Sequence, residues 1–280
     1  MPSPAEWAAY IGAAAWLPQI GSWVYGRLVT PKVRIIPERS VQLGYTTFGP
    51  IFNIRVSIST DRKDAIVDNL EVDLTHQDGA AHSLRWSGLR ETFSEVMDSE
   101  GNRQSTIEKD QPAIALKVST ALLAEKFVRF QDQAWHNEHN PLFDALVSQY
   151  NYLKSSTLEY RQSALTSKEH HSLFEFYKRG FWWKAGRYEA TFRIQSPNDA
   201  TLNTGTFVFF VSQFDVDSMR ANIDLMKDYY ENVVMGDTEG YVAKNTQWSF
   251  RNVMFLPHQD ADLLPQAASS PQRQSLGAGK

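Results

Sequence analysis

There is no cysteine in the 280 residues of this chain. That excludes disulfides, thiolate nucleophiles and every sulfur-ligated zinc site, and it suits a reducing compartment. An excess of basic charge is missing too. Lys and Arg number 28 against 32 Asp and Glu, for a net charge of -4. Nucleic-acid binding normally needs a basic stripe, and no run of like charge supplies one. No Gly-x-Gly-x-x-Gly or Walker pattern offers a phosphate loop, no Gly-x-Ser-x-Gly elbow offers an activated serine, and no internal repeat is visible.

What the chain does have is apolar and aromatic residues: 42% hydrophobic, with eight Trp. The stretch EWAAYIGAAAWLPQIGSWVYGRL, residues 6–28, is almost free of charge. As a helix it would rise roughly 33 Å, about the thickness of a hydrocarbon core. Trp7 and Tyr10 sit at one end and Trp23 and Tyr25 at the other, where interfacial aromatic belts lie. Ile11, Trp16, Leu17 and Ile20 supply apolar surface between them, and Arg27 begins a basic flank that predicts a main domain facing the cytoplasm. No positive residue precedes the stretch, so it is not a cleavable signal peptide. Its Ala and Gly content and Pro18 weaken the case for a span, and a helix docked on its own domain or bundled through Ala8 and Gly12 competes with it. The expectation is an N-terminal apolar membrane anchor over 1–30.

After Thr30-Pro31 the pattern turns to strands. KVRIIP, GPIFNIRVSIST and AIVDNLEVDLTHQDG alternate. Asp78-Gly79 reads as a hairpin turn, with AHSLRWSGL as the returning strand. Residues 98–111 are polar and read as an exposed loop, before PAIALKVST and KFVRFQD resume strand character. Asn140-Pro141 reads as a helix start, and Leu142, Leu146, Gln149, Leu153, Thr157 and Tyr160 recur at helical steps. A helical insertion over about 139–178 follows from this, its last part ambiguous between helix and edge strand. GRYEATFRI and TFVFFVSQ are strands, 215–235 is a second helix, NTQWSFRNVMFLP closes the set, and 259–280 reads as a disordered tail.

Short strands at regular intervals around a helical insertion predict a mainly β fold over 31–258, a β-sandwich with helical additions. The stretch WWKAGRYEATFRI resembles the Gly-x-Tyr and alternation of later strands in immunoglobulin-like sandwiches, which implies that fold class and no function.

Candidate sites are few. His136, Glu138 and His139 in WHNEHNP could hold a metal, with His170 or His171 adding an imidazole, but i,i+3 spacing is not the zincin pattern. Glu71 and Asp73 fall on one strand face, as two-carboxylate chemistry needs, and also as any half-solvated strand shows. Val216, Met219, Ile223, Met226, Tyr230 and Val233 form a heptad seam that suits either a partner helix or the core. Trp182 and Trp183, between Arg179 and Lys184, put one ring outward on a strand as a contact point. The sequence therefore predicts a non-enzymatic, membrane-associated binding or sensing protein without cofactor. Its partner would be another protein or a second copy, engaged through Met219, Ile223, Met226, Tyr230, Trp182 and Trp183. The alternatives are a soluble metal-dependent hydrolase or nuclease using His136 and His139, and a self-assembling structural protein.

Overall fold

Strand-forming residues alternating with polar ones give a ribbon with one apolar face, and such a face must be covered. In this chain it is covered by the sheet itself. The computed structural model describes residue 3, residues 14–21, 23, 24 and 26, residues 29–97 and residues 103–264, with backbone alone over 91–97 and 103–109. Helix α1 covers 14–21 and positions 23, 24 and 26. Then come β1 (Lys32–Pro37), β2 (Ser40–Thr46), β3 (Gly49–Asp61), β4 (Ala65–Val67), β5 (Asn69–His76), β6 (Ala81–Met97), β7 (Arg103–Pro112), β8 (Leu116–Val118) and β9 (Ala124–Asp132). Helices α2 (Gln133–Ser156), α3 (Tyr160–Leu165) and α4 (Lys168–Arg179) follow. The chain continues through β10 (Gly186–Gln195), β11 (Thr201–Leu202), β12 (Thr206–Val211), α5 (Gln213–Arg220), α6 (Asn222–Met235) and β13 (Arg251–Pro257). A 3-10 helix over His258–Leu263 ends the described chain.

Eight strands close a ring in the order β3-β2-β13-β12-β10-β5-β6-β9 and back to β3, every pair antiparallel. The closing strand is β9. It pairs with β3 from Ile51↔Gln131 to Ile58↔Ala124, and with β6 from Leu84↔Asp132 to Arg90↔Phe127, with a register shift between Trp86 and Gly88. Outside the ring, β1 continues along the β3 edge that β2 leaves, β7 does the same on β6 beyond β5, and β11 pairs parallel with β1. β4 and β8 form a separate two-stranded ribbon.

An eight-stranded barrel is just wide enough for side chains to fill, and here the filling is aromatic. Phe255 lies 5.9 Å from Phe52, 6.3 Å from Phe192, 6.0 Å from Phe209, and 5.1 Å in a stacked arrangement from Phe207. Phe130 meets Phe52 edge-on, and Tyr188 stacks on Phe209 at 5.0 Å. The outer face carries ion pairs. Arg193 lies 3.1 Å from Glu71 and 2.6 Å from Asp73, so that carboxylate pair belongs to a solvated strand face held by a cross-strand arginine.

Several expectations are corrected. The sheet is a closed barrel and not an immunoglobulin-like sandwich, because β9 joins what would be the two open edges. Tyr188 does make a local corner, its hydroxyl accepting from the Lys184 amide at 2.9 Å, but on a barrel strand. No described helix is long and apolar enough to cross a membrane, so the expected transmembrane helix is not found among the described residues. In α1, Trp16, Leu17, Ile20 and Trp23 are exposed. Trp7, Tyr10, Ile11, Tyr25 and Arg27 lie outside the described residues.

The helical region begins earlier than Asn140-Pro141 suggests. Asp132 caps α2, and Pro141 lies inside that helix. Residues 168–179 are helical, and the 215–235 segment is two helices meeting at Ala221. Residues 103–111 are strand, and Leu264 is buried with Val208 and Leu256, while 265–280 lie outside the described residues. Ile66 is exposed although Leu70, Val72 and Leu74 are buried, because β4 ends at Val67 and the face changes across Asp68.

Because Phe255 touches four other rings, Phe255→Ala should cost about 3–5 kcal/mol in urea denaturation, the usual range for emptying an aromatic core site. A loss under about 1 kcal/mol would mean that the barrel interior is not packed as described.

Candidate functional site

Helices α2, α4, α5 and α6 cap one end of the barrel, and buried polar bonds join cap to sheet. Asp132 does two jobs at the end of β9: Oδ1 accepts from the Trp135 amide at 3.1 Å, and Oδ2 accepts from Trp182 Nε1 at 3.1 Å. The Tyr45 hydroxyl of β2 accepts from Trp135 Nε1 at 3.3 Å and donates to the Tyr177 carbonyl of α4 at 2.7 Å. Asn222, fully buried at the start of α6, donates to the carbonyls of Tyr45 and Ser249 and accepts from the Ser249 amide, each at 2.9 Å. Trp183 Nε1 donates to the Gly44 carbonyl at 3.0 Å.

Two glycines hold Trp135 between them. A Cβ on Gly49 would lie 2.6 Å from its ring, and a Cβ on Gly180 would lie 2.6 Å from its Nε1. Gly49 also has φ +76°, a left-handed conformation that other residues adopt at a cost.

Between α2, α3, α4, α6 and the β2–β3 turn the cap leaves a cleft of about 490 Å³. Its walls are apolar, with Phe143, Leu146, Val147, Ala164, Val233 and Val234 among them. Its polar side chains are His136, His139, Asn140, Tyr150, His170, Tyr229 and Tyr230, with Thr47 at the turn. Residues 136, 139, 143, 146, 147 and 150 recur at helical steps, which is why one face of α2 forms one wall.

Beneath the cleft runs a chain of hydrogen bonds. Tyr230 and Tyr177 hydroxyls are 3.0 Å apart, Tyr177 Oη is 3.0 Å from His139 Nε2, and His139 Nδ1 is 3.2 Å from Asn140 Oδ1. With His139 Nδ1 donating to the amide oxygen, Nε2 accepts from Tyr177, and Tyr177 accepts from Tyr230. Burial pushes Tyr177 well above the usual phenol range, raises Tyr230 too, and holds His136, His139 and His170 below the usual imidazole range. The five groups are therefore neutral near pH 7. Nε2 of His136 and Nε2 of His170 are buried without a hydrogen-bond partner.

The predicted site residues are redistributed. Met219, Ile223, Met226 and Tyr230 are buried, so the heptad seam packs on the barrel cap, and only Val233 of that stripe is exposed. Trp183 is core, and Trp182 stacks on His82 with centroids 3.9 Å apart. Five of these six residues are buried and Trp182 is partly exposed. His136 and His139 share a helix face, but both nitrogens of His139 are engaged, and no group of three metal-binding side chains forms among the described residues. Glu138 instead sits 3.8 Å from Arg179 at the surface.

A larger cavity of about 660 Å³ lies beside β1, lined by Arg34, Arg39, Asn203, Thr204 and Phe207 among others. None of its lining side chains has a buried polar atom lacking a partner, and the cap cleft is the better site chemically. Comparison with protein-family models, with curated proteins and with solved structures finds no match.

Two outcomes follow from this wiring. Tyr177→Phe strips both Tyr230 and His139 of a buried partner, and should cost about 1–3 kcal/mol in thermal or chemical denaturation; no change would show that the chain of bonds is not formed. The depressed imidazoles bind protons less readily in the folded chain than in the unfolded one. Stability should therefore fall as pH drops below about 6.5, the ordinary histidine value. Asp132 near His136 and Asp144 near His139 work against this loss, whereas His139 near His136 and His171 and Lys227 near His170 add to it. The double variant His136→Phe/His170→Phe should show a shallower decline in melting temperature between pH 7 and pH 5; an unchanged slope would remove those two rings from the account.

Proposed function

We propose that the protein is a binding protein that holds an apolar small molecule in the cleft of its helical cap. The observation that carries this reading is the cleft itself: 490 Å³ of space with apolar walls and a few converging polar groups. Ligand sites in proteins have this character and run to about 300–1,000 Å³. The division of labour supports it. The barrel is filled with rings and acts as a rigid platform, while the cap it carries encloses the cleft. Catalysis finds less support: the cleft has no carboxylate among its lining residues, and burial keeps Tyr230, His136, His139 and His170 neutral.

The test is binding of an environment-sensitive apolar dye, read by fluorescence and by the rise in melting temperature. Val147 lines the cleft and is 41% exposed, so a larger side chain fits there without disturbing the core. Val147→Trp should abolish dye binding while leaving the dye-free melting temperature within a few degrees. Dye binding that survives this substitution unchanged would place the site elsewhere.

A further inference from the structure

We infer that the barrel has a second ligand site, at the end away from the helical cap, and that its ligand is a phosphate monoester with an apolar body. The site is independent of the cap cleft. β12 runs from Thr206 toward Ser212, which caps α5, so its first residues lie at the far end of the barrel, where β13 finishes at Pro257 and β2 begins at Ser40. Mouths of β-barrels are a preferred place for ligands.

The cavity of about 660 Å³ lies there, framed by β1, β12 and β13. One corner is closed where β1 meets the chain leading into β12. The Val33 carbonyl accepts from the Asn203 amide at 2.7 Å, and the Ile35 carbonyl accepts from the Thr204 hydroxyl at 2.6 Å. A second corner is closed where the Arg39 carbonyl accepts from the Phe255 amide at 2.9 Å, and a third where Phe207 pairs with Pro257. After Thr204 the chain leaves β1 to pair with β10 and β13, and the gap so opened is the cavity. A Cβ on Gly205 would meet nothing within 4 Å, so the wall stands clear at that point.

The charges in this gap are of one sign. Arg34 and Arg39 both line it and both are exposed; neither makes an ion pair, a side-chain hydrogen bond or a ring contact among the described residues. No carboxylate is among the lining residues. Glu38 lies 3.9 Å from Arg55 and lines a different pocket, and Lys32 stands opposite Asp61 in the β1–β3 ladder. Asp260 and Asp262, on the 3-10 helix that follows, are not lining residues either. Behind the arginines the cavity reaches Ile35, Phe207 and Phe255, all three buried.

A guanidinium presents a planar fork of donors that matches phosphate oxygens. Two such groups without counter-charge suit a ligand that carries about two negative charges, as a phosphate monoester does near pH 7 and a carboxylate does not. The apolar residues behind them favour an ester of an apolar alcohol over the free ion. Binding makes and breaks no covalent bond.

Phenyl phosphate, inorganic phosphate and benzoate, titrated calorimetrically at pH 7.5 and low salt, test this on the full chain. We expect phenyl phosphate to bind at least about ten-fold more tightly than either of the others. Arg34→Gln and Arg39→Gln should each weaken it by about ten-fold with the melting temperature unchanged, because both side chains are exposed and unpaired. Arg179→Gln on the cap should leave binding as it was, and so should Val147→Trp, which fills the cap cleft. Benzoate or inorganic phosphate binding as tightly as the ester would overturn the ligand assignment. Ester binding that survives both arginine substitutions, that is lost in Val147→Trp, or that is absent from the unsubstituted protein would overturn the site. If either arginine variant does not fold, the three probes on the unsubstituted protein and on Val147→Trp decide alone.

Discussion

A strand has hydrogen-bonding groups along both edges, and the whole fold depends on β9 satisfying both of its own. One edge meets β3 and the other meets β6. Without that strand the sheet would be open, with two unpaired edges and an apolar face to be covered by a second layer. With it, the apolar faces of eight strands turn toward one another and need only seven aromatic rings and their aliphatic neighbours to fill the space. Because β9 runs straight into α2, the same strand also sets where the helical cap begins. Asp132 belongs to both, ending the ladder and capping the helix.

Much of this was legible in the sequence as pieces. Alternation located the strands of the ring, because a half-buried strand carries it whatever architecture it joins. Closure was not legible. Alternation reports that one face is buried, and a sandwich and a barrel bury one face equally; the pairing of KFVRFQD with segments some seventy and some forty residues earlier is a non-local fact, roughly of the kind that turn chemistry cannot reveal. The long hairpin of β6 and β7 was hidden for a related reason: its polar residues 103–111 read as loop because an edge strand outside a core needs no apolar face.

The site was legible in its residues and not in its assembly. His136, His139, His170 and Tyr230 all stood out, but as metal ligands or as a partner stripe. Reading Asn140-Pro141 as a helix start put the two histidines in a turn. The stronger signal was Asp132, whose carboxylate caps a helix that then tolerates Pro141 within it. Once 133–156 is one helix, the i,i+3 histidines share a face with Phe143, Leu146 and Val147, and the wall of a cleft becomes visible. The opposite walls come from α3, α4 and α6, which no local pattern could bring there.

Trp135, held between Gly49 and Gly180, makes the two sides of the cap mechanically unequal. The first turn of α2, the tip of the β2–β3 turn and the end of α4 are pinned at one point where not even a methyl group can be added. The short α3 has no side-chain cap and no comparable anchor. The helical layer is therefore stiffest at the tryptophan corner and yields most readily at α3.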